Sequence, residues 1–235
     1  MSVFHFKQFS VDQSNCAMKI NTDGVLLGAT SSAENPKTIL DIGTGTGVVA
    51  LMLAQRFPNA QIDAVEIDLS SAETAEKNFK NSPFSYRLTL NTISIQNFWL
   101  QKQHQQYDLI VSNPPFYLDT LTSPKGNKTL AKHALPNFFE ELLHNVPAFL
   151  RPNGNFWLIL PVKTALMVKE LAVKNLFLQA EIAVSSFADD LPHRQILSFG
   201  LHQTKTEHAS FTIYKSEKVY SDAYQHLLKD FLTIF

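Results

Sequence analysis

Cysteine is nearly missing from this sequence: Cys16 is the sole thiol in 235 residues. One thiol excludes an intramolecular disulfide framework and a multi-cysteine zinc site, and it fits a reducing compartment. An excess of one charge is missing as well, since 20 Lys and Arg against 21 Asp and Glu leave a formal charge of -1. A protein that coats nucleic acid is strongly basic, so any grip on phosphate must come from a local patch. No apolar run reaches the roughly 18 residues of a transmembrane helix. The start of the chain, with His5, Lys7 and Asp12, lacks a signal-peptide core. A cytoplasmic protein without membrane contact is therefore expected, and the further expectation is a monomer without bound metal. No internal repeat or low-complexity linker divides the chain. What is present is enough apolar sequence, 45% of residues, for one large α/β core.

From Thr38 onward, short apolar runs alternate with helical patterns, as when crossover helices join parallel strands. Thr38 to Ile42, Gln61 to Glu66 and Leu88 to Ile93 read as strands. Val48 to Phe57 reads as a helix ended by Pro58 and Asn59, and a second helix, capped by Asp68 or Ser70, runs to about Lys80. Leu109 to Ser112, entered through Tyr107 and Asp108, is a buried strand stopped by Pro114 and Pro115. Apolar residues at helical spacing give a helix from Phe138 to Leu150, kinked or shortened at Pro147. A turn over Arg151 to Gly154 leads to a strand at Phe156 to Leu160. Lys163 to Lys174, Phe177 to Ser185 and Gln195 to Leu201 supply a helix and two strands before a mixed tail. The expected fold is α/β, one doubly wound, Rossmann-like sheet of seven mostly parallel strands over residues 38–235. An amino-terminal extension, residues 1–37, precedes it.

Asp41-Ile42-Gly43-Thr44-Gly45-Thr46-Gly47 lies between a strand and a helix, where glycines allow a sharp turn and a close ligand approach. Glu66 follows at the end of the second strand, where a carboxylate can accept both hydroxyls of a ribose. This is the pattern of a nucleoside-cofactor site. Gly45-x-Gly47-x-x-Ala50 also satisfies the dinucleotide fingerprint, which keeps a nicotinamide enzyme in view. Asp41 separates the two: its charge repels a pyrophosphate but can act, directly or through water, on the ammonium of a methionine-bearing cofactor. S-adenosylmethionine is therefore favoured over NAD.

Asn113-Pro114-Pro115-Phe116 ends a strand expected beside the first, facing the cofactor across the cleft. With the glycine loop, this tetrapeptide resembles the class I methyltransferases that modify planar nitrogens. The resemblance implies that the Asn113 side-chain oxygen and the Pro114 carbonyl each accept a hydrogen of an exocyclic amine, directing its lone pair at the methyl group. Pro114 and Pro115 stiffen the loop, and Phe116 offers a face for an extruded base, worth about 1 to 3 kcal/mol. From Thr120 to Phe139 no acidic residue occurs, while Lys125, Lys128, Lys132 and His133 supply a candidate phosphate grip.

The blocks Phe4 to Phe9 and Cys16 to Ala29, with Lys128-Thr129-Leu130-Ala131-Lys132-His133, resemble the bacterial methyltransferases that form N6-methyladenine at position 37 of valine tRNA. That resemblance implies that Thr22 and Asp23 close over the methionine part of S-adenosylmethionine. Asp41, Gly43, Thr44, Gly45, Gly47, Glu66, Ile67 and Asn113 would hold the rest, with Ser94 and Ile95 at the adenine end. Two positions depart from the family pattern. Ser94 stands where many relatives carry an acid, and Lys128 and Lys132 stand where arginines are usual, so bidentate phosphate contacts are weakened there. Thr22 or Asp23 can equally start a capped helix that buries Val25, Leu26 and Leu27. The other readings are methylation of a protein glutamine, of an rRNA base or of DNA adenine, a non-catalytic RNA-binding module, and an NAD-dependent oxidoreductase. Glutamine and DNA methyltransferases usually carry an additional domain for which residues 1–37 leave no room.

Overall fold

The computed structural model describes residues 3–14, 16, 18–103, 105–114 and 128–235, and the side chains of 128–135 are not among the described features. The central sheet has eight strands in the order β10-β8-β9-β7-β6-β3-β4-β5. These are β3 (Thr38–Ile42), β4 (Gln61–Val65), β5 (Leu88–Asn91), β6 (Tyr107–Ser112), β7 (Leu150–Pro161), β8 (Phe177–Ser185), β9 (Arg194–Gly200) and β10 (Glu207–Thr212). Strands β3 to β7 are mutually parallel, and β9 is antiparallel to both neighbours, β7 and β8. The expected seven strands become eight because the tail adds β10, parallel to β8 at the edge.

Helices α1 (Thr22–Thr30), α2 (Val48–Arg56), α3 (Leu69–Lys80) and α7 (Asp222–Leu228) cover one face of the sheet. Against them pack Ile39, Ile62, Leu109, Val111, Ile159 and Ile196. Helices α4 (Ile95–Gln101), α5 (Lys128–Phe149) and α6 (Val162–Ala172) cover the other, against Leu40, Ile42, Ile110, Leu158 and Leu197. The alternation along β3, with Ile39 on one face and Leu40 on the other, is the period of two that a sheet covered on both sides requires.

Two expectations are corrected and one helix is added. The helix expected from Phe138 begins at Lys128 and runs unbroken through Pro136 and Pro147 to Phe149. Each proline removes one intrahelical hydrogen bond, but Phe139, Leu142, Leu143, Val146 and Phe149 form a fully buried stripe whose burial outweighs the loss. The turn at Arg151 to Gly154 lies inside β7, which skips from the pair Tyr107–Leu150 to the pair Leu109–Asn155. Helix α4 was not expected: Ser94 caps it by accepting the Asn97 amide at 3.2 Å, and Phe98 and Trp99 are its buried side.

The amino-terminal extension forms the hairpin β1 (Val3–His5) and β2 (Ser10–Asp12), followed by α1. Its Phe6, Phe9, Val11, Val25, Leu26 and Leu27 enter the same apolar cluster as α2. The tail continues from β10 into a small hairpin, β11 (Tyr214–Ser216) and β12 (Val219–Tyr220), and then α7. It returns to the start of the chain, where Phe6 bridges Leu232 and the Lys7 amide donates to the Phe231 carbonyl. The tail, which its sequence leaves free to cover either the sheet or a second subunit, buries Tyr224, Leu228, Phe231 and Leu232 in its own chain's core. Among the described residues no helix is long and apolar enough to cross a membrane, and no cluster of His, Cys, Asp and Glu is arranged to hold a metal ion.

Candidate active site

In an open, doubly wound sheet the strand order reverses at one point, and the loops leaving the carboxyl ends of the strands there form a crevice. Here that point lies between β3 and β6, and the Ser112 hydroxyl ties the two strand ends by donating to the Ile42 carbonyl at 2.8 Å. The glycine loop leaves β3, Glu66 leaves β4, and Asn113 leaves β6.

The glycine loop is shaped by φ. Gly43, Gly45 and Gly47 all lie in the left-handed region, at +72°, +55° and +83°, which L side chains rarely adopt. A Cβ on Gly45 would meet nothing within 4 Å, so the loop presents bare backbone to open space. A Cβ on Gly47 would instead lie 2.5 Å from Phe79, where the loop packs on α3. One glycine thus admits a ligand, and another admits the fold.

Asp41 is 1% exposed and accepts the Thr44 hydroxyl at 2.6 Å. Burial pushes its carboxyl up to about 7 against the pull of the Thr44 hydroxyl and the Ala50 amide, with the nearby Glu66 charge adding to the rise. Its contacts are therefore with the loop itself and with the start of α2. Glu66 accepts the Gly45 amide and the Asp68 amide, each at 2.9 Å, one on each oxygen. The bonds fix its carboxylate beside the loop and leave each oxygen a second lone pair. Asn78, 2% exposed, joins the extension to this loop by exchanging hydrogen bonds with the Asp12 backbone and donating to the Thr46 carbonyl.

Asn113 stands at the tip of β6. Its Oδ1 is buried and has no hydrogen-bond partner. Its Nδ2 lies 3.6 Å from where a Cβ on Gly24 would be, so the first turn of α1 closes directly over it. An unpaired buried acceptor costs about 1 to 3 kcal/mol and marks a place where a donor belongs. Pro114 beside it is buried.

The other expected positions are placed as follows. Asn21, not Thr22 or Asp23, caps α1, accepting the Gly24 amide at 2.9 Å. Thr22 opens the helix, and the Asp23 carboxylate is held by Arg194 at 2.7 Å. Arg194 escapes a sequence reading because it lies 171 residues away, in no motif. Ile67 is 71% exposed beyond β4, and Ser94 and Ile95 begin α4 beyond β5. Pro115, Phe116 and Lys125 lie outside the described residues. Lys128, Lys132 and His133 fall in the first two turns of α5.

The methyltransferase small domain matches residues 16–186. A Pedobacter heparinus protein named tRNA1(Val) (adenine(37)-N6)-methyltransferase is 46% identical over 235 residues, covering 100% of this chain and 99% of that protein. The chain belongs to this methyltransferase family. A Flavobacterium psychrophilum protein of the same name is 40% identical, with 97% and 98% covered. Among solved structures, an Agrobacterium tumefaciens protein described as a predicted O-methyltransferase superposes with a TM-score of 0.68 at 15% identity, covering 89% of this chain and 96% of that one. A ribosomal protein L11 methylase from Lactobacillus delbrueckii gives 0.57 at 15%, with 81% and 83% covered. Both share the fold of this methyltransferase.

The site fits S-adenosylmethionine on its own features. The Gly45 backbone faces space that a side chain would fill, Glu66 is fixed with free lone pairs, and a buried acceptor waits at Asn113.

Proposed function

We propose that this chain transfers a methyl group from S-adenosylmethionine to N6 of adenine 37 in the anticodon loop of valine tRNA, acting in the cytoplasm as a monomer. The observation that carries the reading is the buried, partnerless Oδ1 of Asn113 at the carboxyl end of β6, beside the glycine loop. A monomer accords with the tail burying its apolar side chains in its own chain.

The cofactor supplies an electrophilic methyl group on a sulfonium. Gly43, Thr44 and Gly45 admit and seat it, with Gly47 packing the loop on α3 and Asp41 acting through the loop it organises. Glu66 accepts ribose hydroxyls. Ile67, Ser94 and Ile95 flank the adenine end, while Thr22 and Asp23 roof the methionine end as part of the extension, residues 1–37.

An adenine amine is a poor nucleophile because its lone pair is delocalised into the ring. Asn113 Oδ1 and the Pro114 carbonyl each accept one amine hydrogen, which lets the nitrogen pyramidalise and aim its lone pair at the methyl group. No base has to act first, because the nitrogen becomes acidic once it carries the methyl. Alignment of two bound groups can lower the barrier by roughly 7 to 11 kcal/mol. The stacked base enters only when flipped out. Pro115 stiffens the bend and Phe116 stacks on the flipped base, while Lys125, Lys128, Lys132 and His133 hold phosphates. Digested tRNA from cells lacking this protein should lack one N6-methyladenosine by mass spectrometry and regain it on complementation. An unchanged nucleoside profile would refute the reading.

A further inference from the structure

We propose that Arg194 is a positioning residue for methyl transfer, fixing the first turn of α1 against Asn113 through its ion pair with Asp23. The inference rests on the function proposed above and names a residue that this reading does not use.

Arg194 opens β9 opposite Pro161, the last residue of β7. Because β9 runs antiparallel, its first residue lies at the carboxyl edge of the parallel strands, the edge that carries Asn113. Its Nε donates to Asp23 Oδ2 at 2.7 Å, with the two side chains 26% and 14% exposed, and its Nη1 donates to the His193 carbonyl at 3.0 Å. A partly buried, charge-assisted contact is stronger and more directional than a solvated one.

Asp23 is the second residue of α1, immediately before Gly24. The Gly24 amide is held by Asn21, and a Cβ on Gly24 would lie 3.6 Å from Asn113 Nδ2 and from Val48 Cγ1. The height of this turn over the sheet therefore sets the room left around the Asn113 amide. The far end of α1 is held independently. Arg56 donates to the Gly28 and Ser31 carbonyls at 2.8 and 2.5 Å, and the Trp157 indole donates to the Ser32 carbonyl at 2.8 Å. Loss of Arg194 thus loosens the end of α1 that touches Asn113 and spares the end that anchors it. Asp23 still suits a helix amino terminus without its partner, so the helix persists while its placement is lost.

The test uses full-length protein, S-adenosylmethionine and unmodified valine tRNA. Arg194→Gln, Asp23→Asn, their combination and Arg194→Lys are compared for kcat, KM for the tRNA, cofactor Kd and Tm. Each single variant should lower kcat about 10- to 100-fold, the cost of displacing a positioned group by around an ångström. The combination should be no worse than the poorer single variant, because both remove one contact. KM should stay within about threefold in every variant and cofactor Kd within about threefold in the Arg194 variants, while Arg194→Lys should recover part of kcat. Three outcomes overturn the inference. A rise in tRNA KM confined to the Arg194 variants makes Arg194 an RNA contact. A kcat loss confined to Asp23→Asn, with the Arg194 variants unaffected, makes Asp23 act on the cofactor without Arg194. A kcat loss that disappears when activity is expressed per folded molecule makes the pair purely structural. Normal wild-type transfer with unaffected variants refutes this inference alone. Absent wild-type transfer refutes the functional reading and this inference with it.

Discussion

Replacing Gly45 and Gly47 by alanine, one at a time, separates what the loop does for the ligand from what it does for the fold. Both residues have positive φ, so either alanine carries about 1 to 2 kcal/mol of left-handed strain. Gly45→Ala adds only that, because its Cβ points into open space. Gly47→Ala also drives its Cβ to 2.5 Å from Phe79, a side chain 3% exposed on the buried side of α3. Overpacking of this kind costs roughly another 1 to 3 kcal/mol. In a domain of this size about 1 kcal/mol moves Tm by roughly 2 to 4 °C. Gly45→Ala should therefore melt about 2 to 8 °C below wild type, and Gly47→Ala several degrees lower still. Cofactor binding should show the reverse order of severity. The Gly45 methyl group occupies the ligand's approach, so calorimetric titration with S-adenosylmethionine should show affinity falling at least about tenfold. Gly47→Ala, measured well below its melting point, should bind more tightly than Gly45→Ala. Unchanged cofactor affinity in Gly45→Ala would refute the claim that this backbone faces the ligand.

The pH dependence of stability should carry the mark of Asp41. Its carboxyl is raised from an ordinary 3.8 to about 7 by burial, so between those values the folded state holds a proton that the unfolded state has released. Asp41 therefore favours the folded state fully below about pH 4, and that contribution is lost as pH rises through 7, by up to about 1.4 kcal/mol per unit. Asp41→Asn should gain stability relative to wild type between pH 5 and 8 in thermal melts, and a flat difference would contradict the buried assignment. Arg87, 5% exposed, donates to the Ala54, Phe57 and Ala60 carbonyls at the end of α2. Arg87→Met should cost about 3 kcal/mol or more and lower Tm by at least about 6 °C, whereas a smaller shift would mean that water replaces the guanidinium. Lys128→Ala with Lys132→Ala should raise the KM for tRNA and flatten its salt dependence by roughly 0.7 in log–log slope per lost phosphate contact. An unaltered slope would remove these lysines from the interface.

Where local chemistry is decisive, the sequence alone is enough. β3 and β8 have the bounds that their apolar runs and flanking breakers suggest, and α3 starts at the Asp68 cap. The glycine loop, Glu66 and Asn113 meet at one edge because a parallel sheet brings the carboxyl ends of its strands together. Where tertiary burial competes with local preference, a sequence reading fails. Two prolines argue against a long α5, yet its buried stripe sustains 22 residues of helix. α4 shows a usable signal, since Ser94 precedes apolar positions 95, 98 and 99 at helical spacing, but it is too short to stand out. Nothing in the residues around Asp23 announces Arg194, because that contact exists only once β9 has folded back beside β7.

Methyl transfer by purified protein and by Asn113→Ala is the most direct measurement of the account. Each is given labelled S-adenosylmethionine and unmodified valine tRNA, and cofactor Kd is taken in parallel. Wild type should place one label on the exocyclic nitrogen of an anticodon-loop adenine. Asn113→Ala should lose about 100-fold or more in kcat, the scale seen when one oriented hydrogen-bonding group is removed from a reacting centre, with cofactor Kd nearly unchanged. Equal labelling by the two proteins, or cofactor binding by wild type without any label on the tRNA, would contradict it.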